Sequence, residues 1–263
     1  MDVDGTMVDR DLVVSSRLRR AAARVREAGA VITIATGRML RSARPFSLKL
    51  GANGPAICYQ GAMTFLPGDG RIVRHLRLEP EPARDAIALL EGTGAHVNVY
   101  VDDEIYVTGV NEWAEGYAER QALELNIVES LLPLAERRPT LILAVTEREH
   151  MGPVVARVRA GLGDRAKVTR SLAHFCEIGS REAGKDKAVA EIADSMGIGP
   201  ERVVAFGDGE GDAEMLEWAG LGVAVEGGHP DVLASGDSMI PGPREDGVAK
   251  VLEDLLARGM IGS

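Results

Sequence analysis

Aromatic residues make up only 4% of this 263-residue chain, so no stacking platform for bases or flavins stands out. Cysteine occurs only at Cys58 and Cys176, which excludes a disulfide scaffold; both lie in apolar, strand-like runs and read as reduced, structural thiols. Long apolar runs are missing too. Val31–Ala35 and Val203–Phe206 fall far short of the ~20 residues that span a bilayer. The acidic start at Asp2 and Asp4 lacks the basic-then-apolar pattern of a signal peptide. These absences together point to a cytoplasmic protein with no membrane partner. Positive charge is in deficit, with a net charge of −10, which argues against a broad nucleic-acid surface. Lysine is confined to Lys49, Lys167, Lys185, Lys187 and Lys250, which gives each more weight than it would otherwise have. His75, His96, His150, His174 and His229 show no spacing that suggests a transition-metal site.

What is present is the balance of a globular protein, 45% hydrophobic and 27% charged. Ser15 or Ser16 precedes a helical pattern of Leu18, Ala21, Ala22, Val25 and Ala28, stopped by Gly29. Val31–Ala35 and Ala56–Tyr59 read as strands buried on both faces, with a helix near Leu40–Leu50 broken by Pro45 between them. From Lys185 the same rhythm returns: a helix ended by Gly197, a strand at Val203–Phe206 and a helix at Ala213–Ala219. Strands at Gly222–Val225 and Ser238–Ile240 and a helix at Val248–Ala257 follow. The middle differs. Ile72–Leu78, Val97–Val101 and Ile105–Val107 alternate, with Asp102-Asp103 marking a hairpin and Leu141–Val145 a further strand. Helices are expected at about Pro82–Leu90, Glu112–Leu123 and Arg148–Ala160. The expected fold is α/β: a Rossmann-like, doubly wound parallel-sheet core, residues 1–61 and 182–263, with an α+β insert at 62–181.

Four polar clusters fall where buried strands end: Asp2-Val3-Asp4-Gly5-Thr6, Thr36-Gly37-Arg38, Lys185, and Gly207-Asp208-Gly209-Glu210-Gly211-Asp212. Ligands of open parallel sheets bind at the carboxyl ends of the strands. A phosphoryl-transfer site needs a nucleophile, a proton donor and acceptor, hydroxyl and cationic contacts for phosphoryl oxygens, and metal-holding carboxylates. The clusters supply each part once, and their hard oxygen ligands suit Mg²⁺. A receiver domain uses similar residues, but it needs an Asp at a strand end between the acidic pair and the Thr. No Asp ends a strand between Asp4 and Thr36.

These motifs and their order resemble the haloacid dehalogenase superfamily, specifically its Cof-like sugar-phosphatase branch, over nearly the whole chain. D-x-D-G-T arises by chance on the order of once per hundred thousand positions at average residue frequencies, and here it stands in order with three further motifs. The resemblance implies that Asp2 is the nucleophile, forming an aspartyl-phosphate. Asp4 would then serve as general acid and base, with its backbone carbonyl helping to bind Mg²⁺. It implies that Thr36 holds a phosphoryl oxygen, that Lys185 rather than Lys187 offsets charge, and that Asp208 and Asp212 hold metal beside Asp2. Gly37, Arg38 and Gln60 would be substrate contacts, with pairing to a carboxylate equally open for Arg38, and residues 62–181 a cap that sets specificity for a small phosphorylated metabolite. Glu245-Asp246-Gly247-Val248 matches a stretch near the family's C-terminus.

The chain departs from the family's pattern at several places. Gly211 and Gln60 each stand where the family usually has Asn, and Gly227-Gly228 replaces a small polar pair. The family also places an apolar strand before the nucleophile, so a run of strand length is expected upstream of Met1 in a complete protein. Two other classes stay open at this stage: a phosphomutase, and a catalytically impaired module that only binds phosphorylated ligands.

Overall fold

The computed structural model describes residues 1–113 and 124–261. The chain divides into two compact units, Met1–Arg74 with Gly184–Ser263, and His75–Ala183. Ser15 caps α1 (Ser16–Glu27), its hydroxyl accepting from the Leu18 N–H at 3.0 Å. Leu18, Ala21, Ala22 and Val25 form the buried face, as their spacing requires. The helix α2 (Leu40–Leu50) runs through Pro45, where the sequence suggests a break. Proline forfeits its own N–H bond and crowds the carbonyl one turn back, but buried Ala43, Phe46 and Leu50 anchor the helix on both sides.

Val31–Ala35, expected as a strand, makes single bonds instead of a ladder. The Ile57 N–H donates to Ile34 O at 2.9 Å, and an isolated parallel bridge joins Ala35 to Ile57. On the other side the Ala35 N–H donates to Met1 O at 2.9 Å, and the Met1 amino group to Thr33 O at 3.1 Å. Too few consecutive residues pair to form a regular strand. β1 (Ala56–Cys58) pairs antiparallel with β2 (Met63–Phe65), and β3 (Ile72–His75) lies beyond it. Tyr59, Gln60 and Gly61 turn the chain between β1 and β2, all with positive φ (51, 53 and 89°). This pairing groups residues 62–74 with the first unit, whereas the sequence reading places the start of the insert at residue 62. Arg74 ties that segment down, donating to Gly61 O at 3.0 Å and pairing with Glu191 at 2.6 Å.

The second unit contains α3 (Pro80–Leu90), β4 (His96–Val101), β5 (Glu104–Val107), β6 (Leu125–Ile127), β7 (Leu141–Val145), α4 (Arg148–Leu162), β8 (Ala166–Thr169) and β9 (Phe175–Ser180). Its sheet has the order β6-β5-β4-β7-β9-β8, antiparallel except where β5 meets β6. Asp102 and Asp103 form the expected two-residue hairpin loop, with φ of 52 and 61°. One face of the sheet carries Val97, Val99, Ile142, Ala144 and Ile178 against Ala83, Ile87, Val154 and Val158 of the helices. The expected helix at Glu112–Leu123 falls largely outside the described residues.

The first unit resumes with α5 (Lys185–Ser195), β10 (Val204–Gly207), α6 (Ala213–Trp218), β11 (Leu221–Val225), α7 (Pro230–Ser235), β12 (Ser238–Ile240) and α8 (Gly247–Ala257). β10, β11 and β12 are parallel, with Val204 opposite Leu221 and Val223 opposite Ser238. The Asp2 N–H donates to Phe206 O at 2.9 Å. Hydrogen bonds thus run from β12 through β10 and Met1-Asp2 to residues 33–36 and β1. Arg17 of α1 holds Glu253 of α8 through a two-pronged ion pair. Among the described residues no helix is long and apolar enough to cross a membrane.

Candidate active site

The strand ends of the first unit bring the polar clusters together. Asp2, Lys185 and Asp212 are all at most 6% exposed. The Lys185 ammonium donates to Asp2 Oδ1 at 2.8 Å and to Asp212 Oδ1 at 2.7 Å. Asp212 accepts at its other oxygen from the N–H groups of Asp208 and Gly209, at 3.2 and 3.0 Å. One turn of backbone therefore fixes its carboxylate. Gly207 is required for this: a Cβ there would lie 2.3 Å from that of Asp212. Asp208 accepts from the Thr6 hydroxyl at 2.6 Å, and its carbonyl accepts from the His229 N–H at 2.7 Å. Gly5 has φ +88°, and a side chain there would collide with the Asp208 carboxylate. The glycine and threonine that follow the acidic pair thus serve Asp208, a role for Thr6 that the sequence reading did not assign.

Ligand oxygens of Asp2, Asp208 and Asp212 all lie within 4.8 Å of one another. Burial pushes the Asp2 carboxyl well above the usual range, and Asp212, Asp208 and Asp4 push it the same way, against Lys185. Asp208 is pushed up to about 6, chiefly by burial and then by Asp212 and Asp4, opposed by the Thr6 hydrogen bond and Lys185. Burial alone would lower the Lys185 ammonium, but the two facing carboxylates outweigh it and hold it above the ordinary lysine range. Like charges gathered this closely, on hard oxygen donors, form a set that a divalent cation fits and Zn²⁺-type N/S chemistry does not.

Asp4 stands apart from this cluster. Arg38 grips its carboxylate with two hydrogen bonds of 2.6 Å, from Nε and Nη2. The guanidinium also donates to Ser42 Oγ at 2.9 Å and stacks over Phe46 at 4.7 Å. Arg38 is therefore the fixed partner, with its side chain 9% exposed against 51% for Asp4. Thr36 is buried, and its hydroxyl oxygen accepts from the Arg38 N–H at 3.2 Å, leaving its proton to donate. Gly37 lies in the turn between these two residues. Gln60 and Gly211, two of the departures from the family pattern, prove to be neighbours: a Cβ on Gly211 would lie 3.2 Å from Gln60 Oε1. The longer amide occupies space that a side chain at 211 would need. Gly61, with φ +89°, packs against the backbone of Gly184, where a Cβ would lie 2.1 Å from the Gly184 oxygen.

The sequence profile of haloacid dehalogenase-like hydrolases matches residues 1–252. The chain is 28% identical over 262 residues to 5-amino-6-(5-phospho-D-ribitylamino)uracil phosphatase YitU of Bacillus subtilis, covering 97% of this chain and 95% of that protein. It is 28% identical to pyridoxal phosphate phosphatase YbhA of Escherichia coli, with 96% of each covered. The crystal structure of TM0651 from Thermotoga maritima superposes with a TM-score of 0.81 at 29% identity, covering 96% of this chain and 95% of that one. The solved structure of the subclass IIB sugar phosphatase BT4131 superposes with a TM-score of 0.84 at 22% identity, covering 99% of this chain and 98% of that one. The chain belongs to the haloacid dehalogenase-like hydrolases, with the fold of their Cof-like, type IIB branch, and is a hydrolase of the phosphatase type.

Proposed function

We propose that this enzyme hydrolyses small phosphate monoesters with Mg²⁺, using Asp2 as nucleophile, in the cytoplasm. The observation that carries the reading is the buried Asp2–Lys185–Asp212 arrangement beside Asp208. In this reading Asp2, Asp208 and Asp212, with the Asp4 backbone carbonyl, would hold the metal, which would supply positive charge to offset the carboxylates facing the phosphoryl group. Asp2 attacks phosphorus and the ester oxygen leaves, giving an aspartyl-phosphate. Asp4 donates a proton to the departing alcohol, then takes one from the water that hydrolyses the intermediate. Thr36 donates its hydroxyl proton to a phosphoryl oxygen, and Lys185 offsets negative charge between nucleophile and phosphate. Arg38 orients Asp4 and, with Gly37 and Gln60, borders the substrate. The 28%-identical relatives named for phosphatase activity toward a phospho-ribitylamino compound and pyridoxal phosphate support a compact phosphorylated metabolite as substrate.

The test is phosphate release from a panel of monoesters after exhaustive metal removal. Turnover should be absent in excess chelator and return with Mg²⁺. Undiminished turnover without metal would sink the mechanism.

A further inference from the structure

The turn at Tyr59–Gly61 bears on three of the four polar clusters. Its Tyr59 N–H donates to Arg38 O at 2.9 Å and its Gln60 N–H to Thr36 O at 3.1 Å, which pins the turn to the Thr36-Gly37-Arg38 stretch. Gly61 packs on Gly184, the residue before Lys185, too closely for a side chain to fit between them. Arg74 holds the Gly61 carbonyl and pairs with Glu191 of α5, the helix that Lys185 opens. The Gln60 side chain reaches the third cluster. Outside the neighbouring stretch of chain, the three atoms nearest to a Cβ on Gly211 are Gln60 Oε1, Cδ and Nε2, at 3.2, 3.7 and 3.9 Å. All of these residues belong to the first unit.

The turn is held in a costly shape. Tyr59 and Gln60 both sit at positive φ, 51 and 53°, where a side chain crowds its own backbone and only glycine is at ease. Such strain persists only where the surroundings enforce it, and it gathers at functional sites. Here it aims the Gln60 amide at a stretch in need of a neighbour. Gly211 lies between Asp208 and Asp212, two of the three carboxylates gathered for a divalent cation. Glycine leaves the backbone more freedom than any other residue, and the Gln60 amide packs where a side chain at 211 would stand. We infer that Gln60 is a positioning residue, buttressing the Glu210–Asp212 turn from outside and so setting the spacing of the metal-holding carboxylates. Gln60 and Gly211 then act as a pair, the side chain absent at one position being supplied from the other. This rests on the divalent-cation reading of the site above and adds a residue, outside the ligand set, on which cation affinity depends.

The test is calorimetric Mg²⁺ binding to the metal-free full chain, with melting curves of the same samples. The parent is compared with Gln60→Asn, Gly211→Asn and the double variant. Asn tolerates the positive φ at 60, so the turn survives the first change. Shortening the amide leaves a gap beside Gly211, and a side chain at 211 meets the Gln60 amide. Each single change should therefore weaken Mg²⁺ binding by at least about tenfold, the usual loss when a group behind metal ligands is altered. Together the two changes make room for each other, so the double variant should bind at least about tenfold more tightly than the product of the single losses predicts. A smaller loss in either single variant, or a double variant short of that margin, overturns the inference. A lower metal-free melting temperature with Mg²⁺ affinity unchanged also overturns it, since a contact that only supports the fold behaves in that way. If Gly211→Asn does not fold, Gln60→Gly decides. It should melt at or above Gln60→Asn, because the strain is relieved, yet bind Mg²⁺ no more tightly than Gln60→Asn, and parent-like affinity sinks the proposal. A parent that binds no Mg²⁺ fails the cation reading and this inference with it, whereas a parent that binds and ignores Gln60 fails the inference alone.

Discussion

The two units treat buried polarity in opposite ways. In the first, the most deeply buried charges are spent on one another: Lys185 bridges Asp2 and Asp212, and Asp212 is held by two backbone N–H groups. In the second, the buried polar side chains do not gather into one cluster: Asn98 lies beside His96 on one strand, and Glu177 accepts from the Ser171 N–H at 3.2 Å. A paired, rigid cluster suits chemistry, which needs groups held to well under 1 Å or so.

The hardest blow to this contrast is Asp2→Asn. The amide oxygen can still accept from Lys185, so the fold should survive, but the nucleophile is gone. Turnover should fall by at least about 10³-fold with an unchanged melting curve. Residual activity within tenfold of the parent would remove Asp2 from its role.

Next comes Lys185→Met, read as stability in chelator. Removing the ammonium leaves two buried carboxylates facing each other, a loss of about 3–5 kcal/mol in denaturant unfolding. A loss below about 1 kcal/mol would mean the cluster is not held by this cation.

The smallest effect separates the units by pH. Asp208 is raised in the folded state to about 6 from 3.8, and Asp2 is raised in the same direction. A raised folded-state pKa stabilises most below the unfolded value, and this contribution is lost as pH rises through about 6. The metal-free protein should therefore gain stability from these groups as pH is lowered from 7.5 to 5. The melting-temperature increase on adding Mg²⁺ should be larger at 7.5 than at 5, because protons then compete less for the carboxylates. The reverse order would contradict the carboxylate cluster as the metal site.

Much of this was legible along the chain because the signals are local. Ser15 caps α1 where the apolar spacing begins, and Asp102-Asp103 makes its hairpin because both residues tolerate positive φ. The acidic motifs were legible as chemistry because their residue types have few other uses at strand ends. Other elements misled. Val31–Ala35 has a strand's composition but not its ladder, since pairing depends on what lies alongside. Pro45 reads as a breaker, yet burial on both sides carries α2 through it. β8, with only two apolar residues in Ala166–Thr169, has too weak an alternation to be found.

The sequence by itself marked the residues that the structure gathers at one site, Asp2, Lys185, Asp208 and Asp212, because their motifs stand out by type and neighbourhood. Only the tertiary structure decided their pairings. That Arg38 takes Asp4, Thr6 takes Asp208, and Gln60 fills the space beside Gly211 depends on positions far apart in the chain. The same holds for Asn98 and Glu177, which are 79 positions apart by number and meet one sheet face only through the register of β4, β7 and β9. Local pattern fixes which side of its own strand a residue occupies. Which residues of other strands share that side is set by pairing, and pairing is a property of the folded sheet.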